Sequence, residues 1–351
     1  MTTRFFEKIQ DEKNIAKFIK KEKLAKIAQR IISTFETDKA SRAEWDDNAE
    51  KALDLAKMMP TNKDKPWDGC ANIAHPMTAR AVIQFTSNLL SEVVRKDEVM
   101  DVRVIGMDPD GSKYRRGNRV KEYMNHDILI KNSRWQDSLD RAFHLLGTVG
   151  IVFKKVYFDP IKKENISELC LHTEVYVNNN VNCLEDARRI SHIQKIHRNT
   201  LIEWMRGGYY TQLDDKDLGI STEDSILNDD LDNAMHEIIE QHCFLDLDDD
   251  GYEEPYIVVV HKDSQKVIRI LPRYDFKDIN YSDTDKVISI TPQMYFVDYH
   301  CLPAFDGSFY SVGFGSLLLH MNSTINTGLN QLIDAGTLAN TQSGFISGDL
   351  N

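Results

Sequence analysis

Across residues 307–348 the only Asp, Glu, Lys or Arg is Asp334, whereas a chain that is 28% charged would place about twelve such residues in a stretch of that length. Leu318, Met321, Ile325, Leu329, Leu332 and Ile333 recur at helical spacing there, and Asn322, Asn326 and Asn330 form a polar stripe at intervals of four. A long helix almost without charge does not suit a solvated surface, so it is expected to be buried, in its own chain or between copies. The face carrying Leu318, Ile325, Leu329 and Leu332 is expected to pack on the chain's own core. The amides are costly to bury without hydrogen-bond partners. Asn322, Asn326 and Asn330 are therefore candidates for a subunit contact or for the wall of a wet channel.

The remaining patterns predict an α+β fold. Residues 5–36 read as an amphipathic helix with lysines between its apolar positions, and 39–59 as a second helix that Pro60 stops. Pro76 opens a third, since proline suits a first helical turn. Residues 102–105 look like a strand, and 115–146 like another helix closed by Gly147 and Gly150. From 151 to about 300, short β-branched and aromatic runs separated by turns predict strands, with a helical segment near 200–205. The expected organisation is a mainly helical region over 1–150, a strand-rich region over 151–300 with an acidic loop at 210–255, and a loop plus long uncharged helix over 301–351.

Charge narrows the function. The formal net charge is −12, and residues 210–255 hold sixteen Asp or Glu against one Lys, while residues 1–30 hold nine Lys or Arg against four acids. Wrapping DNA requires clustered cations, so this balance opposes phosphate capture. It does not oppose a protein that DNA slides through, because a like-charged wall repels the backbone and prevents sticking. No run of 18 apolar residues predicts a membrane span, and the charged N-terminus has no apolar signal core. A cytoplasmic site of synthesis is expected. The five cysteines are dispersed without a CxxC pair, which predicts neither a disulfide framework nor a zinc site.

Candidate chemistry is sparse. Asp246, Asp248 and Asp250 followed by Gly251 match the first half of a calcium loop, but position 12, where a bidentate Glu belongs, is Ile257, and the flanks read as strands. An acidic hairpin turn is the favoured reading. Gly313-Phe314-Gly315 lacks the third glycine and the strand of a dinucleotide loop, and no GxxxxGK[ST] sequence occurs. His192 and His197, five apart in a strand, fall on opposite faces and do not form a metal pair. The 210–255 carboxylates have no accompanying base or nucleophile, so a metal-dependent nuclease, or a calcium-binding module built on Asp246, Asp248 and Asp250, is the alternative to a structural protein rather than the first choice. No cofactor is expected.

Three blocks resemble the portal proteins of tailed phages, especially short-tailed ones. The first holds Arg42 and Trp45 and continues to Pro66-Trp67-Asp68-Gly69-Cys70-Ala71-Asn72 and Pro76. The second runs Gly147-Thr148-Val149-Gly150 into the strand from Ile151. The third spans Leu302-Pro303, Asp306-Gly307, Gly313-Phe314-Gly315 and Asn326 to Asn340. The resemblance covers roughly residues 39–348. It implies a non-enzymatic subunit of a homo-oligomeric ring, twelve copies in number, at one capsid vertex. Such a ring passes DNA during packaging and ejection, and it docks the terminase large subunit, a head–tail adaptor, and capsid and scaffolding proteins. It further implies a place in the virion, reached through the host cytoplasm. Portals of this kind continue past the third block, so a chain ending at Asn351 is expected to be a fragment.

Overall fold

A computed structural model describes residues 12–59, 67, 69–95, 98–132, 134–159, 163–214, 217–218, 235–281 and 287–341. The fold is α+β. Among those residues the helices are α1 (Lys21–Ser41), α2 (Ala43–Ala56), α3 (Met77–Val93), α4 (Ser112–His126), α5 (Trp135–Val149), α6 (Arg198–Arg206) and α7 (Phe314–Asn340). The strands are β1 (Ile151–Asp159), β2 (Glu164–Cys170), β3 (Val175–Val177), β4 (Ile190–His197), β5 (Met235–Leu245), β6 (Glu254–His261), β7 (Lys266–Pro272), β8 (Ile279–Tyr281), β9 (Val287–Ile290) and β10 (Phe296–His300). The chain divides into two compact units, each assembled from separated segments. Residues 1–43, 153–298 and 305–309 make the strand-rich unit; 44–152, 299–304 and 310–351 make the helical one. The three consecutive regions expected from sequence thus regroup, with the N-terminal helix joining the strands.

The strand-rich unit is organised on an antiparallel sheet in the order β3-β4-β5-β6-β7. One face is covered by α1, whose Ile27, Ala28, Ile31 and Phe35 share a helical face and pack with Ile239, Cys243, Tyr256, Val258 and Val260. The other face receives α6 through Leu201 and Met205, against Ile238, Val259 and Ile268. The expected acidic loop at 210–255 therefore contains the central strand of the sheet, β5. Its polar residues His236, Glu237, Glu240, Gln241 and His242 obscure the alternation that marks a strand.

The expected helix over 5–36 is also corrected, its first residues lying outside the described set. A short 3₁₀ turn, Ile15–Phe18, precedes α1 and is separated from it by extended backbone. The cause is Asn14, fully buried. Its Oδ1 accepts from Ala16 N at 3.0 Å and Ile270 N at 3.1 Å, and its Nδ2 donates to Ile268 O at 2.9 Å. This side chain completes the open edge of β7 and competes with helix formation. At the other end of α1, buried Asp38 binds Arg189 at 2.6 and 2.8 Å. Arg42 donates to His172 O at 2.7 Å and Val175 O at 2.9 Å, and its guanidinium lies 3.9 Å from the centre of the Tyr176 ring.

In the helical unit, α3, α5 and α7 pack together. The residues 102–105 expected as a strand pair with no strand among the described residues, and the helix expected over 115–146 is interrupted between α4 and α5 by a π-helical turn, Asp127–Lys131, and by Asn132. Pro76 stands at the start of α3 as expected. Three glycines decide how α7 begins. Gly150 adopts φ 107°, and a Cβ there would lie 2.5 Å from Gly313 N. A Cβ on Gly313 would meet Thr148 O at 2.4 Å, and one on Gly315 would meet Ala52 Cβ at 2.5 Å. The Gly313-Phe314-Gly315 sequence is thus a site of backbone contact, with Phe314 edge-on to Phe85 at 5.3 Å. Trp45 is a packing residue: its ring lies 4.7 Å from that of Tyr310, and its Nε1 donates to Ser311 O at 3.0 Å. We expect Gly313→Ala to destabilise the helical unit by about 3 kcal/mol or more, because neither neighbour is a flexible side chain that can yield. Gly328→Ala, at a position with open space around it, should be neutral or slightly stabilising. Denaturant titration of both variants checks the contrast.

Candidate functional site

The asparagine stripe is the first place where predicted site residues come together. Residues 71–75 form neither helix nor strand, so their N–H groups need other acceptors. Ala71 N donates to Asp334 Oδ1 at 2.7 Å, Ile73 N to Asn330 Oδ1 at 2.8 Å, and His75 N to Asn326 Oδ1 at 2.7 Å. Asn330 Nδ2 returns a bond to Ile73 O at 3.3 Å, and Asn322 Nδ2 reaches Thr78 Oγ1 at 3.1 Å. The match is geometric. Four residues along a helix advance about 6 Å and two along an extended chain about 6.6 Å, so every fourth helical side chain meets every second N–H. Running antiparallel, α7 acts toward 71–75 much as a strand would. The one charge of the stretch, Asp334, belongs to this ladder.

That arrangement gives the stripe a role within the chain that the sequence did not indicate. Asn326 and Asn330 find acceptor roles in their own chain, and Asn322 bonds through Nδ2 while its buried Oδ1 has no partner among the described residues. Of the face expected to pack on the core, Leu318, Ile325 and Leu329 are half-buried and Leu332 is 71% exposed; beside it Met321 is 60% exposed, and Leu317, Ile333 and Leu338 are exposed as well.

The acidic turn between β5 and β6 is the second cluster. Carboxylate oxygens of Asp246, Asp248 and Asp250 lie within 4.8 Å of one another. Asp246 accepts from Asp250 N at 3.2 Å and Gly251 N at 2.9 Å, folding the turn around its carboxylate. Lys23 binds Leu247 O at 2.9 Å and Asp249 Oδ1 at 2.8 Å. The hairpin-turn reading agrees with the strands on either side. Sequence reasoning missed Glu254, the first residue of β6. It is 1% exposed, and its Oε2 has no hydrogen-bond donor. Burial, then the negative charge of Asp248, Asp250 and Asp246, pushes its carboxyl up to about 8 against the weaker pull of its own N–H. Its position eight residues after Asp246 was visible in the sequence; its burial was not.

A third group lies on β1 and β5 and was also missed. Lys155 Nζ binds both oxygens of Glu240 at 2.8 and 2.9 Å, and His242 Nε2 lies 2.9 Å from Glu240 Oε1. Burial opposes the charge on Glu240, but Lys155 and then His242 outweigh it and hold the carboxyl well below its usual range. Burial keeps His242 below its usual value too, against the pull of Glu240. A neutral imidazole donating from Nε2 to an ionised Glu240 fits both directions. Glu237 and Glu240 thus sit on a strand, which corrects the reading that all the 210–255 carboxylates share one loop. His192 is buried and His197 exposed, on opposite faces as expected. A further cluster joins His236, His261 and Asp263, with His236 Nδ1 3.1 Å from His261 Nε2. Cys170 and Cys243 are buried with thiols pushed up to about 12, chiefly by burial, and are poor nucleophiles.

Among the described residues no helix is long and apolar enough to cross a membrane. The chain matches no protein-family profile, and no curated protein is significantly similar to it.

Two outcomes follow from these geometries. Asn330→Ala, which strips an acceptor from Ile73 N–H and a donor from Ile73 O, should cost about 1–3 kcal/mol, and Asn326→Ala less because His75 is better hydrated; chemical denaturation measures both. Burial also lowers His172 and His192 to about 4, reinforced by Arg42 at His172 and by Lys155 at His192. Unfolded, each takes up its proton near pH 6.5, so the unfolded chain binds more protons between about 6.5 and 4 and stability falls as pH drops through that window. Glu254 acts with opposite sign, losing stability as pH rises toward 8. Relative to the parent, a His172→Gln/His192→Gln variant should lose less of its melting temperature between about pH 7 and pH 4.5, as read by circular dichroism.

Proposed function

We propose that the chain is a structural subunit of a homo-oligomeric ring of the tailed-phage portal type, a conduit for DNA rather than an enzyme. The observation that carries this reading is α7. One side of the helix is held to residues 71–78 by its amides, and the other presents Leu317, Met321 and Leu332 to water with no charge among them. An apolar helix flank of that kind is a surface awaiting a protein partner. In a closed ring the partner is the next copy of the same chain. The net charge of −12 supports passage of DNA without capture.

The three blocks that resemble portal proteins also support the reading in a physical way. Their glycines and asparagines are the residues that fix α7: Gly150 against Gly313, and Asn326 and Asn330 against 73–75. A motif used for packing is what a structural protein requires. Against the nuclease alternative, Glu240 is enclosed with Lys155 and His242, and the Asp246–Asp250 turn has no base or nucleophile beside it among the described residues. In this reading the ring belongs to the virion, assembled in the host cytoplasm with terminase, adaptor, capsid and scaffolding proteins.

Native mass spectrometry of the purified chain tests the proposal. A closed oligomer is expected, and Met321→Lys with Leu332→Lys should shift it to monomers whose circular dichroism and melting temperature are unchanged. A parent chain that stays monomeric at every concentration would overturn the ring reading, and rings unaffected by the two lysines would overturn the role given to α7.

A further inference from the structure

We infer that His236, His261 and Asp263 form a zinc site where the start of β5 meets the turn between β6 and β7. This goes beyond the ring proposal and does not depend on it.

The sheet register brings the three together. In the pairing of β5 with β6, Ile238 stands opposite His261, and the bond from Lys262 N to Glu237 O at 3.0 Å carries that register one step further. His236 therefore comes opposite Asp263, and both share the Ile238 and His261 face of the sheet. His261 is fully buried, His236 is buried and Asp263 is exposed. One ligand atom from each lies within 4.8 Å of the others, and His236 Nδ1 is 3.1 Å from His261 Nε2. Two nitrogens held by one tetrahedral zinc at their usual bond lengths stand about 3.3–3.4 Å apart. The rings thus need to part only slightly, and the exposed carboxylate is free to swing toward them. The lysines of the turn are engaged elsewhere, Lys262 with Glu237 and Lys266 with Asp214 and Asp217. Among the described residues Asp263 itself has no hydrogen bond or ion pair.

The chemistry of the donors agrees. A metal needs imidazoles without protons on the ligating nitrogens. Burial holds His236 below its usual range, with Asp263 pulling upward and Arg198 downward; burial, then His236, does the same to His261 against Asp263. Both rings are neutral at pH 7. His261 Nδ1 lies 2.8 Å from Ser264 Oγ, so the ring can donate its proton there and turn a bare Nε2 to the ion, the outer bond that normally orients a ligating histidine. The competing arrangement is one proton shared between the two rings as an N–H···N hydrogen bond, which makes no use of Asp263. Two imidazoles with one carboxylate suit zinc, whereas calcium and magnesium take oxygen donors; three protein ligands leave the fourth position to water. The ion would pin the start of β5 to the β6–β7 turn and stiffen that end of the five-stranded sheet. No local spacing marks the site in the sequence, because His236 and His261 are 25 residues apart.

The test uses the whole chain, stripped with a chelator and exchanged into metal-free buffer at neutral pH. Calorimetry with ZnCl₂ should show one ion bound per chain. Co²⁺ should give the intense visible bands of four-coordinate ligation, and Zn²⁺ should displace it. Zn²⁺ should also raise the melting temperature more than Ca²⁺ or Mg²⁺ does. Asp263→Asn changes an exposed side chain, so it should keep the circular dichroism and the metal-free melting temperature while weakening zinc binding by roughly tenfold or more, since losing a ligand costs at least as much as losing a group that orients one. His236→Gln should abolish the cobalt bands, and should it fail to fold, Asp263→Asn decides alone. A parent chain that binds no zinc holds only a hydrogen-bonded pair of rings, which overturns the site. Zinc bound at full affinity by Asp263→Asn marks surface histidines instead and overturns this choice of ligands. The pale bands of six-coordinate cobalt would overturn the tetrahedral zinc assignment. Because ring assembly is read separately by mass spectrometry, failure here leaves the ring proposal standing.

Discussion

The close approach of backbone at Gly150, Gly313 and Gly315 is the constraint from which the helical unit follows. Any side chain at Gly313 would stand 2.4 Å from the Thr148 carbonyl, so only glycine lets the chain enter α7 at that point. With the start of α7 fixed against α5, the rotation of the helix is fixed too, and Asn322, Asn326, Asn330 and Asp334 are brought round to face residues 71–78. The same rotation turns Met321 and Leu332 outward. A single tight contact therefore decides both which main-chain groups are satisfied and which apolar surface stays open. The second of these is a cost to an isolated chain, since it leaves apolar area in water without a compensating contact.

The strand-rich unit solves a different problem, that of polar groups inside a sheet. Asn14 closes the edge of β7 with both ends of its amide, and Arg42 satisfies the carbonyls of His172 and of Val175 at the start of β3 while covering the Tyr176 ring. Lys155, Glu240 and His242 form a buried charged set whose members are paired to one another. Such a set adds little net stability over apolar residues of the same shape, but breaking it by removing one partner is severe. Glu254 stands apart from these groups because its Oε2 has no donor.

Hydrophobic periodicity and turn residues in the sequence were enough for the α+β class, the start of α3 at Pro76, the strands from 151 onward and the long helix ending near Asn340. These depend on local pattern, and local pattern survives whatever the chain packs against. The sequence alone also determined that the Asp246–Asp250 segment is a turn between strands, but not the burial of the uncharged helix, since Gly315, Asn322 and Asn330 are the residues of α7 that the chain buries. It did not determine the strand β5, because His236, Glu240, Gln241 and His242 are polar residues whose side chains bond to other side chains of the fold: His236 to His261, Gln241 to Ser191, and Glu240 to His242. Nor did it determine the direction of the asparagine stripe. An amide at helical spacing signals that a partner exists but not where, since the partner, the backbone of 71–75, lies some 250 residues away in the chain. The burial of Glu254 was settled in the same way, by the tertiary structure: exposure is a property of what surrounds a residue, and only the folded chain brings those surroundings together.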